Sequence, residues 1–158
     1  MKLYICKMKI VKLVFFIFVC ILLSSCGKEH VYSEYRSIDG LKWSSTDTVS
    51  FSFDVPENGQ YLLSLSARHR KDYEFSNLWL KVRIKTTNAD TSFRYQMQLY
   101  NVDGMPFGEC SGSTCTQTIP VKEIKGLAKG HYELQVNQLM RKDPLEGIQD
   151  MGVIVDKQ

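Results

Sequence analysis

The sequence predicts an all-β fold, a single antiparallel β-sandwich of jelly-roll-like architecture. After residue 45 most segments alternate apolar and polar residues with a period of two, as in "VSFSFDV" from Val49 to Val55. This alternation is typical of strands that bury one face and expose the other. Turn-forming clusters such as "PENGQ" and "NAD" separate the segments at intervals of about ten residues, which favours a sandwich over βαβ units.

Each alternating segment places its apolar residues on one face. The expected core-facing sets are Val49, Phe51, Phe53 and Val55; Tyr61, Leu63, Leu65 and Ala67; Leu78, Leu80, Val82 and Ile84; and Phe93, Tyr95, Met97 and Leu99. "YELQV" and "MGVIVD" continue the pattern. Two segments break it, "VKEIKGLAKG" and "PLEGI", and each indicates a helical turn.

The N-terminus predicts export and lipidation. Four lysines between Lys2 and Lys12 precede the apolar run "LVFFIFVCILL", which is shorter than the roughly 20 residues of a membrane-spanning helix and suits a signal peptide. The run ends in Leu23-Ser24-Ser25-Cys26, the pattern of a bacterial lipobox; the alternative is an ordinary signal peptide with a cysteine near its cleavage site. We therefore expect a lipoprotein signal peptide at 1–25, a lipidated tether with the first edge strand at 26–45, and a β-sandwich domain at 46–158.

Charge and cysteine content exclude several classes of protein. Of the 20 lysines and arginines, four lie in the predicted signal, which has no acidic residue, so the net charge of +3 is no evidence for nucleic-acid binding. The three histidines are scattered without metal-ligand spacing, so neither a metal nor another cofactor is predicted. Cys110 and Cys115, in "ECSGSTC", are expected to form a local disulfide in an exported domain.

The segment "QLMRKDPLEGIQDMGVIVDK" carries three carboxylates, those of Asp143, Glu146 and Asp150. Paired acids hydrolyse glycosides when they face each other across a cleft. The alternative is a scaffold in which aspartates cap backbone N–H groups in a tight connection. No second catalytic element supports the first interpretation, so the scaffold is favoured.

Further contacts are expected within the same segment. Arg141 is expected to form an ion pair with Asp143 or Asp150, and Leu145 and Ile148 are expected to pin the segment to the core. Arg141, Asp143 and Asp150 are also candidate contacts for a partner protein or a glycan.

A second dense patch, "RHRKDYEFSNLWLKVRI", mixes charge with aromatic surface, a composition favoured at interaction hot spots. Arg68, Arg70, Tyr73 and Trp79 are therefore further candidate contacts for a partner or a glycan. Trp79 lies opposite the apolar face of its strand, so it is either exposed for a partner or buried in a strand covered on both faces. His69, in the same patch, is expected to be a solvated loop residue, and so is His131.

The chain combines a lipobox and the all-β pattern with "NLWL" (77–80) and a closing combination of Met140-Arg141, Asp143, Leu145, Gly147-Ile148, Asp150 and Gly152. Together these features resemble the GldH family of gliding-motility-associated lipoproteins of Bacteroidota. The resemblance spans nearly the whole chain. It implies an outer-membrane lipoprotein, palmitate-modified at Cys26 and tied to type IX secretion. It implies no enzymatic activity, cofactor or catalytic residue. "MPF" at 105–107 departs from the family pattern, where a Trp is often found.

The predicted function is that of a non-catalytic structural or interaction component of envelope machinery. It is held in the membrane by Cys26 and expected to face the periplasm, because no acidic cluster follows Cys26. Its expected partners are envelope, motility or secretion proteins. The first alternative is a carbohydrate-binding jelly-roll lipoprotein with Trp43, Trp79, Tyr73 and Phe107 as candidate contacts. A hydrolase is the weakest alternative.

Overall fold

The computed structural model describes residues 30–158, and for residues 122–126 it describes the backbone alone. The predicted signal peptide and Cys26 lie outside the described residues. The described chain consists of a short 3-10 turn at Asp39–Leu41 and eleven strands: β1 (Tyr32–Ser37), β2 (Lys42–Trp43), β3 (Val49–Val55), β4 (Gly59–Arg70), β5 (Asn77–Lys85), β6 (Asp90–Gln98), β7 (Glu109–Ser111), β8 (Thr114–Leu127), β9 (Gly130–Gln138), β10 (Leu145–Glu146) and β11 (Ile148–Lys157).

Two large sheets form a sandwich with jelly-roll connectivity. One sheet has the order β1-β11-β4-β8-β7 and the other β3-β9-β5-β6, while β10 and β2 form a small third pair. Among the eight long strands the first pairs with the last, β1 with β11, and the nesting continues inward to the hairpin of β5 and β6. This is the strand order of a rolled-up hairpin, a jelly roll. The predicted all-β sandwich is confirmed.

The two expected helical turns are wrong. "VKEIKGLAKG" begins within β8, whose backbone pairs with β4 as far as Leu127, and "PLEGI" contains β10, which pairs with β2. Pairing of β8 with β4 and of β10 with β2 satisfies backbone groups in both segments, and that pairing overrides the local pattern.

The core lies between the two sheets and follows the predicted alternation. In β3 buried and exposed residues alternate without exception, and the inward residues of β4 from Tyr61 to Ala67 are fully buried. Burying one such apolar side chain contributes about 1.5–3 kcal/mol. Trp43 of β2 closes the core at one end, where it pairs with Leu145 of β10.

The sandwich has two unlike ends. The terminal end holds residues 30–31, residue 158 and the short turns 56–58, 86–89 and 128–129. The loop end holds the long connections 38–48, 71–76, 99–108 and 139–147. Long loops on a rigid sheet framework are where binding residues concentrate, so the loop end is the place to look for a site.

The hairpin of β7 and β8 also lies at the loop end. Cys110 and Cys115 are directly paired across it and are joined by a disulfide, with Cα atoms 4.0 Å apart. Among residues 30–158 no helix is long and apolar enough to cross a membrane.

Candidate functional site

Residues 139–147, the strap, connect β9 to β10 and β11 across the loop end. Leu145 and Ile148 are fully buried, as predicted for residues that pin this segment. The carboxylate of Asp143 accepts hydrogen bonds from the backbone N–H of Ser45, at 2.9 Å, and from its hydroxyl, at 2.5 Å. These bonds lower the pKa of Asp143. Asp143 therefore ties the strap to the loop before β3, in agreement with the scaffold interpretation.

Asp150 does not lie on the surface, and the expectation that it contacts a partner is corrected. It is 5% exposed, and its Oδ1 accepts a hydrogen bond of 2.7 Å from Nε of Arg68. The Arg68 guanidinium also lies over the ring of Tyr35, 5.1 Å from its centroid. The expected partner of Asp150, Arg141, makes no ion pair with it or with Asp143. The aspartate pairs with Arg68 because β11 and β4 place these two residues side by side.

Tyr73 is also corrected as a surface contact. It is 6% exposed, and its hydroxyl donates to the carbonyl of Asn77 at 3.1 Å. Gly147 of the strap lies against the Tyr73 side chain: a Cβ on that glycine would come within 3.3 Å of the ring. Arg70 stays exposed, but its guanidinium binds both carboxylate oxygens of Asp72, an exposed pair of little energetic value.

His69 is not the solvated loop residue that its charged neighbours indicate. It lies within β4, between β11 and β8, and is fully buried with its ring near those of Tyr73 and Tyr100. Its Nδ1 lies 3.0 Å from the carbonyl of Arg70, whereas Nε2 has no hydrogen-bond partner among the described residues. Desolvation lowers the pKa of His69.

We expect the stability of the His69→Phe variant to be less sensitive to acid than that of the native protein. The folded-state pKa of His69 lies below the unfolded value of about 6.5, so the unfolded chain binds the proton first and stability falls as pH drops below that value. Phenylalanine keeps the ring and removes the unpartnered Nε2, a group that costs about 1–3 kcal/mol when buried. Urea unfolding at pH 7.5 should show that the variant is at least as stable as the native protein. Between pH 7.5 and pH 5.0 the variant should lose less stability than the native protein does. An unchanged pH dependence would contradict this account of His69.

Trp79 is exposed, which decides between the two interpretations of its strand. Its neighbours Leu78 and Leu80 are buried, while Trp79 is 39% exposed on the outer face of β5. The strap attaches at this position: the N–H of Leu139 donates to the Trp79 carbonyl at 2.8 Å, and the Trp79 N–H donates to Sδ of Met140 at 3.3 Å. Between strap and sheet lies an open groove of about 550 Å³, the Trp79 groove, lined by Phe75, Asn77, Trp79, Arg94, Leu139, Met140 and Arg141.

The two arginines of the Trp79 groove differ from the other four in the chain. Those four pair with carboxylates: Arg36 with Glu34, Arg68 with Asp150, Arg70 with Asp72, and Arg83 with Asp90. Within residues 30–158, leaving aside the side chains of 122–126, Arg94 and Arg141 have neither a hydrogen bond nor an ion pair. The groove therefore combines apolar surface with two uncompensated positive charges. Sequence reasoning finds Trp79 and Arg141 but misses Arg94, which lies in a different strand.

Sequence reasoning also misses a chain of hydrogen bonds on β3 and β9. Ser52 Oγ lies 3.0 Å from Nε2 of His131, and the Nδ1 of that histidine lies 2.9 Å from Oδ1 of Asp54. The order resembles a catalytic triad, but the side chains of His131 and Asp54 are 56% and 81% exposed, whereas a triad orients its histidine with a buried aspartate. No cluster of three His, Cys, Asp or Glu that could hold a metal ion occurs among the side chains that the structure describes, those of residues 30–121 and 127–158.

The fold places this chain among the jelly-roll β-sandwiches. The model of the family "GldH lipoprotein" matches residues 30–155, and the chain belongs to that family. It is 33% identical to "Gliding motility lipoprotein GldH homolog" of Christiangramia forsetii, over 90% of this chain and 93% of the relative. It is 31% identical to "Gliding motility lipoprotein GldH" of Flavobacterium johnsoniae, over 87% and 91%.

Among solved structures, a family GH115 4-O-methyl-α-glucuronidase aligns with 85% of this chain and 18% of its own length, at 13% identity and a TM-score of 0.46. At that score the likeness says nothing about function.

Proposed function

We propose that this protein is a non-catalytic lipoprotein of the outer membrane that acts as a structural and interaction component of the envelope machinery of gliding motility and type IX secretion. The observation that carries the proposal is membership of the GldH lipoprotein family, whose two relatives above are both named for gliding motility. The Trp79 groove supports an interaction role, because tryptophan and arginine are enriched among the few residues that carry most of the binding energy of protein interfaces.

The two ends of the sandwich support one orientation of the domain relative to the membrane. The lipid on Cys26 would hold the terminal end near the bilayer, because only three residues separate that cysteine from His30. The strands run from that end to the loop end, so the strap and the Trp79 groove would face away from the membrane. The residues after Cys26, Gly27-Lys28-Glu29, lack an acidic cluster, which favours a periplasmic orientation.

Co-purification from the native host tests this proposal. A tag on Gln158 lies at the terminal end and leaves the loop end free. After crosslinking in living cells and extraction of the membrane, we expect mass spectrometry to identify other envelope lipoproteins or secretion components in stoichiometric amounts. A Cys26→Ala chain, which cannot carry the lipid, is the control and should lose these neighbours. Recovery of the lipidated protein alone would contradict the assembly role.

Glycan binding is the second candidate, and one observation favours it, the exposure of Trp79 in a groove. Two of its four expected aromatic contacts are buried, Trp43 and Tyr73, and Phe107 belongs to the separate connection 99–108. Titration of the protein with oligosaccharides, followed by tryptophan fluorescence, tests this candidate: a saturable change that Trp79→Ala abolishes would support it.

A further inference from the structure

The residues that line the Trp79 groove have the composition of a protein-binding surface. They include one tryptophan, one phenylalanine, one methionine and two arginines, the residue types that are enriched at the centres of protein interfaces. The types that are depleted there, lysine, aspartate, glutamate, serine and alanine, do not occur in the described lining. A sugar fits this lining less well, because its hydroxyls need several hydrogen-bonding groups when they leave water, and the described lining holds one side-chain amide, that of Asn77.

Both segments that flank the groove are held in place by the rest of the fold. On the strap, the backbone N–H of Met140 donates to Oε1 of Gln138 at 2.6 Å, and Gln138 is fully buried. Before β5, the ring of Phe75 packs edge-on against the buried ring of Tyr73, with 5.7 Å between the ring centroids. The groove is therefore formed before a partner arrives, which reduces the conformational entropy that binding costs.

The positive charges of the groove are not neutralised by the protein's own carboxylates. Arg94 and Arg141 are exposed, and neither has a hydrogen bond or an ion pair within the part of the chain whose side chains are described. The two acidic residues closest in sequence to the lining are engaged elsewhere. Glu74 binds Lys142, and Asp143 binds the loop before β3. A negative charge for the two guanidinium groups must therefore come from another molecule.

The outer face of β5 and β6 defines the chemistry of that molecule. Lys81 lies directly across the strand pair from Arg94, so the positive potential extends beyond the groove and attracts acidic groups. A guanidinium group donates two parallel hydrogen bonds to one carboxylate, a geometry that favours acidic side chains. Trp79 and Met140 offer apolar surface beside these charges, and a thioether makes favourable contacts with aromatic rings. Because binding hot spots pair with hot spots, an aromatic side chain flanked by carboxylates fits the groove.

We propose that the Trp79 groove binds an acidic segment of a partner protein. One aromatic side chain of that segment packs against Trp79 and Met140, and its carboxylates bind Arg94 and Arg141. The inference rests on the proposed function, because it assumes a protein partner. An acidic sugar and a second copy of this chain are the competing occupants of the groove, and the experiment separates them from the partner segment.

The test presents the full-length lipidated protein, in detergent, to a library of random peptides displayed on phage. The same library is selected in parallel on four forms: the native protein, the double variant Arg94→Glu/Arg141→Glu, Trp79→Ala and Arg36→Glu. Arg36 is the matched control, because it is an exposed arginine on β1 of the other large sheet. The peptide most enriched on the native protein is then synthesised, and its affinity for each form is measured by titration.

We expect the native protein to enrich peptides that combine aspartate or glutamate with an aromatic residue. Trp79→Ala should weaken binding of the synthetic peptide roughly thirtyfold, the effect of removing a hot-spot side chain. The double variant should weaken it at least about a hundredfold, since each reversal replaces an attraction with a repulsion. Arg36→Glu should bind like the native protein. A peptide with asparagine and glutamine in place of its acidic residues should lose binding.

Several outcomes would overturn the inference. Selection without enrichment of acidic residues, equal binding to the native protein and the double variant, or an equal loss with Arg36→Glu would each do so. Trigalacturonic acid that binds more tightly than the selected peptide, and that requires Trp79, would assign the groove to an acidic sugar. A dimer in sedimentation that Trp79→Ala dissociates would assign the groove to a second copy.

The co-purification described above distinguishes failure of this inference from failure of the proposed function. If co-purification succeeds while the peptide test fails, the envelope role stands and the acidic partner segment falls. If the peptide binds while co-purification yields the protein alone, the groove stands as a peptide-binding site and the envelope role falls. If both succeed, the lipidated Arg94→Glu/Arg141→Glu chain should lose at least one neighbour. Retention of every neighbour would overturn the inference and leave the envelope role intact.

Discussion

Trp43→Ala is expected to lower the free energy of unfolding by about 3–5 kcal/mol, the range for removing a large aromatic side chain from a core. Trp43 is 1% exposed, and its indole N–H donates to the carbonyl of Asp47 at 2.9 Å. The backbone of Trp43 pairs with that of Leu145 in the strap. Packing of the Trp43 side chain in the core therefore also holds the strap in place. Urea unfolding followed by circular dichroism measures the loss.

The control for Trp43 is the other tryptophan of the chain. Trp79→Ala removes a partly exposed side chain from the outer face of β5, so we expect a loss of about 1 kcal/mol or less. Trp43→Phe should recover part of the stability, because it fills some of the cavity but has no indole N–H. Equal losses for Trp43→Ala and Trp79→Ala would contradict the larger contribution expected of the buried Trp43.

Asp150→Ala is expected to cost about 2 kcal/mol. A hydrogen bond to a charged group contributes about 1.5–3 kcal/mol, and breaking a fully buried ion pair costs about 3–5. The lower range applies because the Arg68 side chain is 44% exposed, so water partly solvates the guanidinium that remains. Chemical unfolding of the variant measures the loss.

A double-mutant cycle measures the interaction energy between Asp150 and Arg68 separately from their contacts with other residues. Arg68→Met keeps the length of the side chain, so Asp150→Ala should cost much less in that background than in the native chain. Asp143→Ala is the matched aspartate control on the exposed strap, and we expect a smaller effect there. An Asp150→Ala protein as stable as the native chain would contradict a stabilising role for this ion pair.

The part of the fold that could be predicted is the part that local patterning determines. Alternation in β3 and β5 follows directly from one face being buried, and it places Leu78 inward and Trp79 outward without knowledge of any neighbour. The pairing of Asp150 with Arg68 could not be found in this way, because 82 residues separate them. Nearby Arg141 is the obvious candidate in sequence, but the sheet brings Arg68 alongside instead.

The candidate site was predictable only in fragments, for the same reason. Trp79 and Arg141 stand out by residue type, whereas Arg94 gains its meaning from lining the same groove. His69 and Tyr73 lie in a charged segment that looks solvated, yet Tyr73 packs against Gly147 of the strap, and the rings of Tyr73 and Tyr100 lie near His69. Burial at the end of a strand depends on what crosses over it, and one segment's composition does not contain that information.

Residues 30 and 158 lie at the same end of the sandwich, and this has a mechanical consequence. β1 and β11 share six rungs, from Tyr32↔Val155 to Ser37↔Asp150. A force applied between residue 30 and the loop end acts along the strand axis, so it loads the backbone hydrogen bonds of all six paired positions at once, in shear. A force that pulls residue 30 away from residue 158 opens the same rungs one after another. Single-molecule stretching should therefore give a higher rupture force between residue 30 and the strap than between residues 30 and 158. A chain that is held through the segment before residue 30 and pulled at the loop end would be loaded in its stronger direction.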